Sequence, residues 1–175
     1  MPSRTPLVRH AGTGTGPAPE PHTAAELATL LELLAGRRRP RMEAVTIGHG
    51  RDAASRGAAD AFGDAWHARG GHVLAVVDWP ETAASWLRPA RRFCAGEPDA
   101  WVVAGAAPGW AQMSRRLRHS TAWDPDRTYG FASLGLAALV TLAGPGTLDG
   151  LRGAAADGGT WRIGGGLIVH RPNPG

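Results

Sequence analysis

His49, Arg51, Asp78, Trp79 and Ser133 stand where short apolar runs give way to loops, and their types could do chemistry together. An imidazole, a cation, a carboxylate, a flat apolar ring and a hydroxyl on one rim could hold a small zwitterion or anion. Each residue also has a plainer use. Asp78, before Trp79-Pro80, can cap a helix or close an Asx-turn. Trp79 can pack in the core, and His49 can be an ordinary loop histidine. Arg51 opens a helix, where the macrodipole disfavours a cation. That conflict singles it out for a functional or partner role.

Signatures of catalysis are missing. The first strand-to-helix turn, Gly48-His49-Gly50, lacks the G-x-G-x-x-G fingerprint, and the chain holds no Walker A sequence and no G-x-S-x-G elbow. Gly105-Ala-Ala-Pro-Gly109 could cradle a phosphate, although two glycines so spaced are a weak signal. The histidines are not at metal-ligand spacing, and the lone Cys94 excludes an internal disulfide or a thiolate zinc cluster. Cys94 adjoins Phe93 on the apolar stripe of a predicted helix, which points to a buried, inert thiol. No metal, cofactor or catalytic residue is expected.

The elements that must position these residues follow from periodicity. Thr23 and Glu26 form a capping box that opens a helix carrying Leu27, Leu30, Leu31 and Leu34, closed by Gly36. A β-rich run follows at Ala44–Ile47, and then a helix with Ala54, Ala58, Ala61, Phe62, Ala65 and Trp66 on its inner face. Further runs at His72–Val77 and Ala100–Ala104 are nearly continuous and apolar, as for strands covered on both faces. Helices carrying Trp86 to Phe93 and Trp110 to Leu117 come after them, and Pro89 demands a kink or a late start in the first of these. A fourth strand candidate spans Thr128–Ser133 and precedes an apolar stretch, Leu136–Leu142. Thr147–Gly153 reads as a turn of helix, and Thr160–Ile163 and Leu167–His170 as two strands joined loosely through Gly164–Gly166.

Strands alternating with helices predict an α/β domain: a three-layer sandwich, Rossmann-like or flavodoxin-like, with a mostly parallel sheet flanked by helices. Residues 1–22, rich in Pro and Gly, read as a flexible tail, residues 23–170 as the single domain, and 171–175 as a disordered tail. In such a sheet, ligands bind outside the carboxyl ends of the strands, which is where the five rim residues fall.

Composition narrows the partners. The chain has 175 residues, 43% apolar and 19% charged, with net charge +4 carried by arginine alone, for there is no lysine. That balance suits a globular domain. The arginines at 37–39 and 41, at 91–92, and at 115, 116 and 118 lie near predicted helix ends, where cations complement the dipole, so no nucleic acid is expected. No apolar run approaches the ~20 residues of a membrane span. The first residues lack the apolar core of a secretory signal, so the chain as written is expected in the cytoplasm.

The order of parts resembles one lobe of the type I periplasmic-binding-protein family, the amino-acid-type substrate-binding components of ABC transporters. The resemblance runs through Glu43-Ala-Val-Thr-Ile47, Ser55-Arg-Gly-Ala-Ala-Asp-Ala-Phe62 and Arg69-Gly-Gly-His-Val73. It continues in Glu97-Pro-Asp-Ala-Trp-Val-Val103, in Thr147-Leu-Asp-Gly-Leu-Arg-Gly153 and in Asp157-Gly-Gly, covering most of residues 24–170. It implies a non-catalytic domain that binds a small polar, amino-acid-like metabolite, with contacts from His49, Arg51, Ser55, Asp78, Trp79, Gly105, Ala106, Phe131 and Ser133. The family is extracytoplasmic and holds ligand between two lobes, so a second copy or another chain is expected to complete the cleft. Two other functions fit the residues. One is an enzyme binding a nucleotide or flavin at the rim; the other is an interaction module docking through Trp66, Trp86, Trp101 and Trp110.

Overall fold

The computed structural model describes residues 17–36 and 42–175. The arginine run at 37–41 and most of the expected N-terminal tail lie outside the described residues.

Helix α1 spans Ala24–Ala35, and Thr23 opens it through the expected capping box. The Glu26 amide donates to Thr23 Oγ1 at 3.0 Å and the Thr23 amide to Glu26 Oε2 at 3.1 Å. Leu30, Leu31 and Leu34 are buried, each contributing roughly 1.5–3 kcal/mol of apolar transfer. Strand β1 follows at Ala44–Gly50, α2 at Ala53–Ala68, β2 at His72–Trp79, α3 at Leu87–Cys94 and β3 at Ala100–Ala104. Then come α4 at Ala107–Ser120, β4 at Thr128–Gly130, α5 at Ala137–Ala143, β5 at Arg152–Ala154, β6 at Thr160–Gly164 and β7 at Leu167–Arg171. Pro89 sits third in α3, where its missing N–H costs no helical bond, so the helix starts late as its sequence requires.

The strands form one sheet in the order β2-β1-β3-β4-β5-β6-β7. The first four pairings are parallel and the last two antiparallel. The core is divided by the sheet. Leucines of α1 and the Phe62–Trp66 face of α2 pack on one side, while α3, α4 and α5 cover the other with Phe93, Trp110 and Leu139.

Several expectations need correction. Strand β2 lies at the sheet edge and is not covered on both faces: Leu74 and Val76 are exposed, and the register steps by one residue at Leu74. Apolar composition alone does not distinguish an edge strand with one neighbour from a central one. Strand β4 ends at Gly130, and a 3-10 turn over Ala132–Leu134 takes up Ser133. The passage 147–153 is no helix; it turns and enters β5, which pairs Tyr129 with Arg152 and Gly130 with Gly153. The β6–β7 connection is tight, because Gly165 and Gly166 hold φ of 60° and 77°, angles that suit a two-residue turn. Arg171, expected in the tail, is the last residue of β7.

All seven tryptophans are buried. Trp66, Trp86, Trp101 and Trp110 therefore offer no docking surface, which removes the interaction-module reading built on them. Trp101 is held there by its Nε1, which donates to Phe93 O at 2.8 Å.

Candidate functional site

The cleft lies at the carboxyl ends of β1, β3 and β4. Three chain reversals follow those ends and bring in the first turn of α2, the first turn of α4 and the 3-10 turn 132–134. Between them is a cavity of about 500 Å³, within the size range of small-molecule sites. Its lining is mainly apolar: Ala54, Ala58, Ala107, Pro108, Phe131, and Leu136 and Leu142 from the α5 region. Ser55, Ser133, Glu20 and Glu26 supply the polar lining, and among the described residues no arginine or histidine takes part.

Of the nine residues predicted for the site, the cavity gathers four: Ser55, Ala106, Phe131 and Ser133. Ser55 is placed by α2. Asp52 caps that helix, accepting the Ser55 amide at Oδ1 over 2.8 Å, and this turns the Ser55 side chain inward. The Ser55 hydroxyl is buried and has no partner within the described protein. Ser133 Oγ instead donates to the Gly105 carbonyl at 2.8 Å, so Gly105 positions the wall without lining the cavity.

The other four candidates lie outside it. His49 is buried at the end of β1 with Nδ1 2.6 Å from the Gly50 carbonyl, and it does not line the cavity. Arg51 Nε donates to Asp78 Oδ2 at 2.6 Å, with both side chains about half exposed. That pair explains an arginine just before a helix, because its charge is met by the end of β2 and not by the dipole. The hydrogen bond from Arg51, with its charge, lowers the Asp78 pKa below the ordinary carboxylate value, outweighing partial burial. Trp79 is fully buried against Phe93 and Trp110 and cannot offer a ring to a ligand.

Three acidic residues beside the cleft were not among the site residues expected from the sequence. Glu81 follows β2 and caps α4, whose N-cap residue Ala106 has no capping side chain: the Gly109 amide donates to Glu81 Oε2 at 2.9 Å. Its second oxygen is buried without a partner, as is Asp52 Oδ2. A Cβ added to Gly50 would lie 2.9 Å from Asp52 Oδ2, 3.1 Å from Glu81 Oε1 and 3.5 Å from Ser55 Oγ, so these oxygens surround one point. Desolvation raises the Glu81 pKa, partly offset by the Gly109 N–H, and the Asp52 charge pushes it further up. Glu26 is the third. Its Oε1 accepts the Ala132 amide at 2.6 Å, so one carboxylate caps α1 and fixes the 3-10 turn across the cleft. A Glu three residues after a Thr signalled the cap; nothing in the sequence signalled the second bond.

Among the described residues no cluster of His, Cys, Asp and Glu is built to hold a metal, and no helix is long and apolar enough to cross a membrane. Cys94 is half-buried and donates to Thr121 Oγ1 at 3.3 Å, and burial raises its thiol pKa, which disfavours a nucleophilic thiolate.

A mostly parallel sheet that ends in an antiparallel hairpin, with a cleft at its strand ends, is the fold of one lobe of a type I periplasmic binding protein. Solved structures share it. A putative branched-chain amino acid ABC transporter protein from Rhodospirillum rubrum superposes with a TM-score of 0.60 at 21% identity, covering 74% of this chain and 36% of that one. A solute binding protein of an ABC transporter from Rhodopseudomonas palustris BisB5, in complex with 3,4-dihydroxybenzoic acid, gives 0.58 at 16% identity, over 75% and 35%. A leucine binding protein from Thermotoga maritima gives 0.57 at 16% identity, over 73% and 35%. The chain thus spans about a third of the length of these proteins. No protein-family model and no curated protein matches the sequence.

Proposed function

We propose that the chain binds a small metabolite without transforming it, and that the ligand is amino-acid-like, with an apolar side chain. The observation that carries this reading is the cavity itself: a mainly apolar chamber of about 500 Å³ with two glutamates, Glu20 and Glu26, in its lining. Glu20 and Glu26, the ionisable residues in the lining, favour an ammonium. Alanine, proline and leucine side chains between them suit an aliphatic or aromatic body.

Binding without turnover is supported by what surrounds the polar groups. Ser55 has no histidine partner, and His49 does not line the cavity. The fold neighbours are binding proteins, one of which holds an aromatic acid.

A thermal melt of the purified chain against leucine, phenylalanine, 3,4-dihydroxybenzoate and a nucleotide set tests the reading. Ligand at ~100 times its Kd adds about 2.7 kcal/mol and moves the midpoint by several degrees. A shift with the apolar amino acids or the aromatic acid is expected. A shift with nucleotides alone overturns the assignment and supports the rim as a nucleotide site.

A further inference from the structure

The cleft described above has a wall that is not part of the sheet-and-helix framework. Five consecutive residues, Pro17 to Pro21, line the cavity together with the first turns of α2 and α4. Three of the five are proline, so φ is fixed near −65° at alternate positions and the strap is stiff before any ligand arrives. Its C-terminal end is anchored to the floor of the cleft. The His22 ring meets Phe131 edge-on, with centroids 5.9 Å apart. Thr23 Oγ1 donates to the Ala156 carbonyl at 2.6 Å, and Glu26, one turn on, holds the Ala132 amide. The strap does not fill the cavity it lines, which keeps about 500 Å³.

We infer that residues 17–21 form the facing wall of the ligand site, so that the chain encloses its ligand with its own N-terminal strap and needs no second chain to do so. The inference rests on the binding function proposed above. Its physical basis is enclosure. An open rim contacts a ligand on one side, whereas a site between strap and helices desolvates it on two, and a proline-stiffened wall loses little entropy on closing over it. Prolines and an alanine offer an apolar surface to match the opposite wall, and Glu20 brings a carboxylate to the mouth.

Two measurements on the full chain test this. In the first, Ala54→Cys places a thiol in the cavity wall, and its alkylation by iodoacetamide is followed by peptide mass spectrometry, with half-buried Cys94 as the internal reference. Replacing Pro17, Pro19 and Pro21 together by glycine is expected to speed labelling of residue 54 at least fivefold and leave Cys94 unchanged. An equal rate in the two proteins overturns the inference, whether or not any ligand is known. In the second, the dissociation rates of leucine and 3,4-dihydroxybenzoate are compared between wild type and the triple variant, with about a tenfold rise expected for whichever probe binds. Binding by wild type with no change in the variant keeps the binding function and overturns the strap. Absence of binding by wild type, with labelling still strap-dependent, overturns the binding function and keeps the wall. Ala18→Trp, which adds bulk to the strap without loosening it, is expected to slow labelling and weaken binding; no effect on either also overturns the inference.

Discussion

The Gly109 amide donates to Glu81 Oε2 at 2.9 Å, and a Cβ at residue 109 would stand 2.6 Å from that same oxygen. The pair closes the start of α4 with a carboxylate from the loop after β2, in place of the cap that Ala106 cannot supply. Gly109→Ala would push the Glu81 carboxylate away and break the bond, at a cost of about 1–3 kcal/mol. Urea unfolding should show a lower midpoint with an unchanged slope.

Glu81 also sets a pH dependence. Its folded pKa is raised above 4.5, mainly by burial, so the native state holds its proton more tightly than the unfolded chain does. Its contribution to stability is therefore full below 4.5 and falls as pH rises through the higher folded value. Asp78 acts oppositely: its folded pKa is lowered from 3.8, so its contribution is present above 3.8 and falls as pH drops through the lowered value. Comparing Glu81→Gln with wild type isolates the first effect. The variant should gain relative stability from pH 4.5 upward, and a constant difference across pH 4–7 would contradict this.

Ser55→Ala should leave folding and binding both nearly intact. The hydroxyl is buried and unpartnered, so its removal should leave the melting temperature unchanged or raise it slightly. Ligand affinity should change less than about tenfold, under ~1.4 kcal/mol, because the hydroxyl sits with the Asp52 and Glu81 oxygens and has no surface open to the cavity. Calorimetric titration beside a thermal melt reads both; a destabilised variant would mean that the hydroxyl has a partner in the free protein.

Glu26→Ala leaves two backbone amides, of Thr23 and Ala132, without their acceptor. The expected loss is about 2–4 kcal/mol, and each kcal/mol lowers the melting temperature by roughly 2–4 °C in a chain of this size. Glu26→Gln keeps an acceptor oxygen and should recover part of the loss.

Arg51→Ala should do little. The pair with Asp78 is 2.6 Å long but about half exposed, and such pairs contribute roughly 0–1 kcal/mol. The prediction is a shift of a few degrees at most, diminished in 0.5 M salt, and unaltered ligand affinity because neither side chain lines the cavity.

The sequence alone determined the kinds and order of most elements. The Thr23–Glu26 capping box, the late start forced by Pro89 and the Gly-rich hairpin at 165–166 are all local, and local chemistry reads directly from neighbouring residues. It also located the rim, because strand ends in a parallel sheet point one way, and Ser55, Ala106, Phe131 and Ser133 do meet there. Only the tertiary structure decided which rim residues face the cavity. Trp79 was drawn into the aromatic core, and Arg51 and Asp78 paired with each other beside the cleft. Strand β5, three residues long, has no periodicity to show; it exists because β4 and β6 offer it hydrogen-bonding partners on both sides. The bond from Ala132 to Glu26 joins residues 106 positions apart, and the strap meets helices that begin more than thirty residues beyond it. Such contacts are properties of how the elements pack, and no window of sequence short enough to have a period contains both partners.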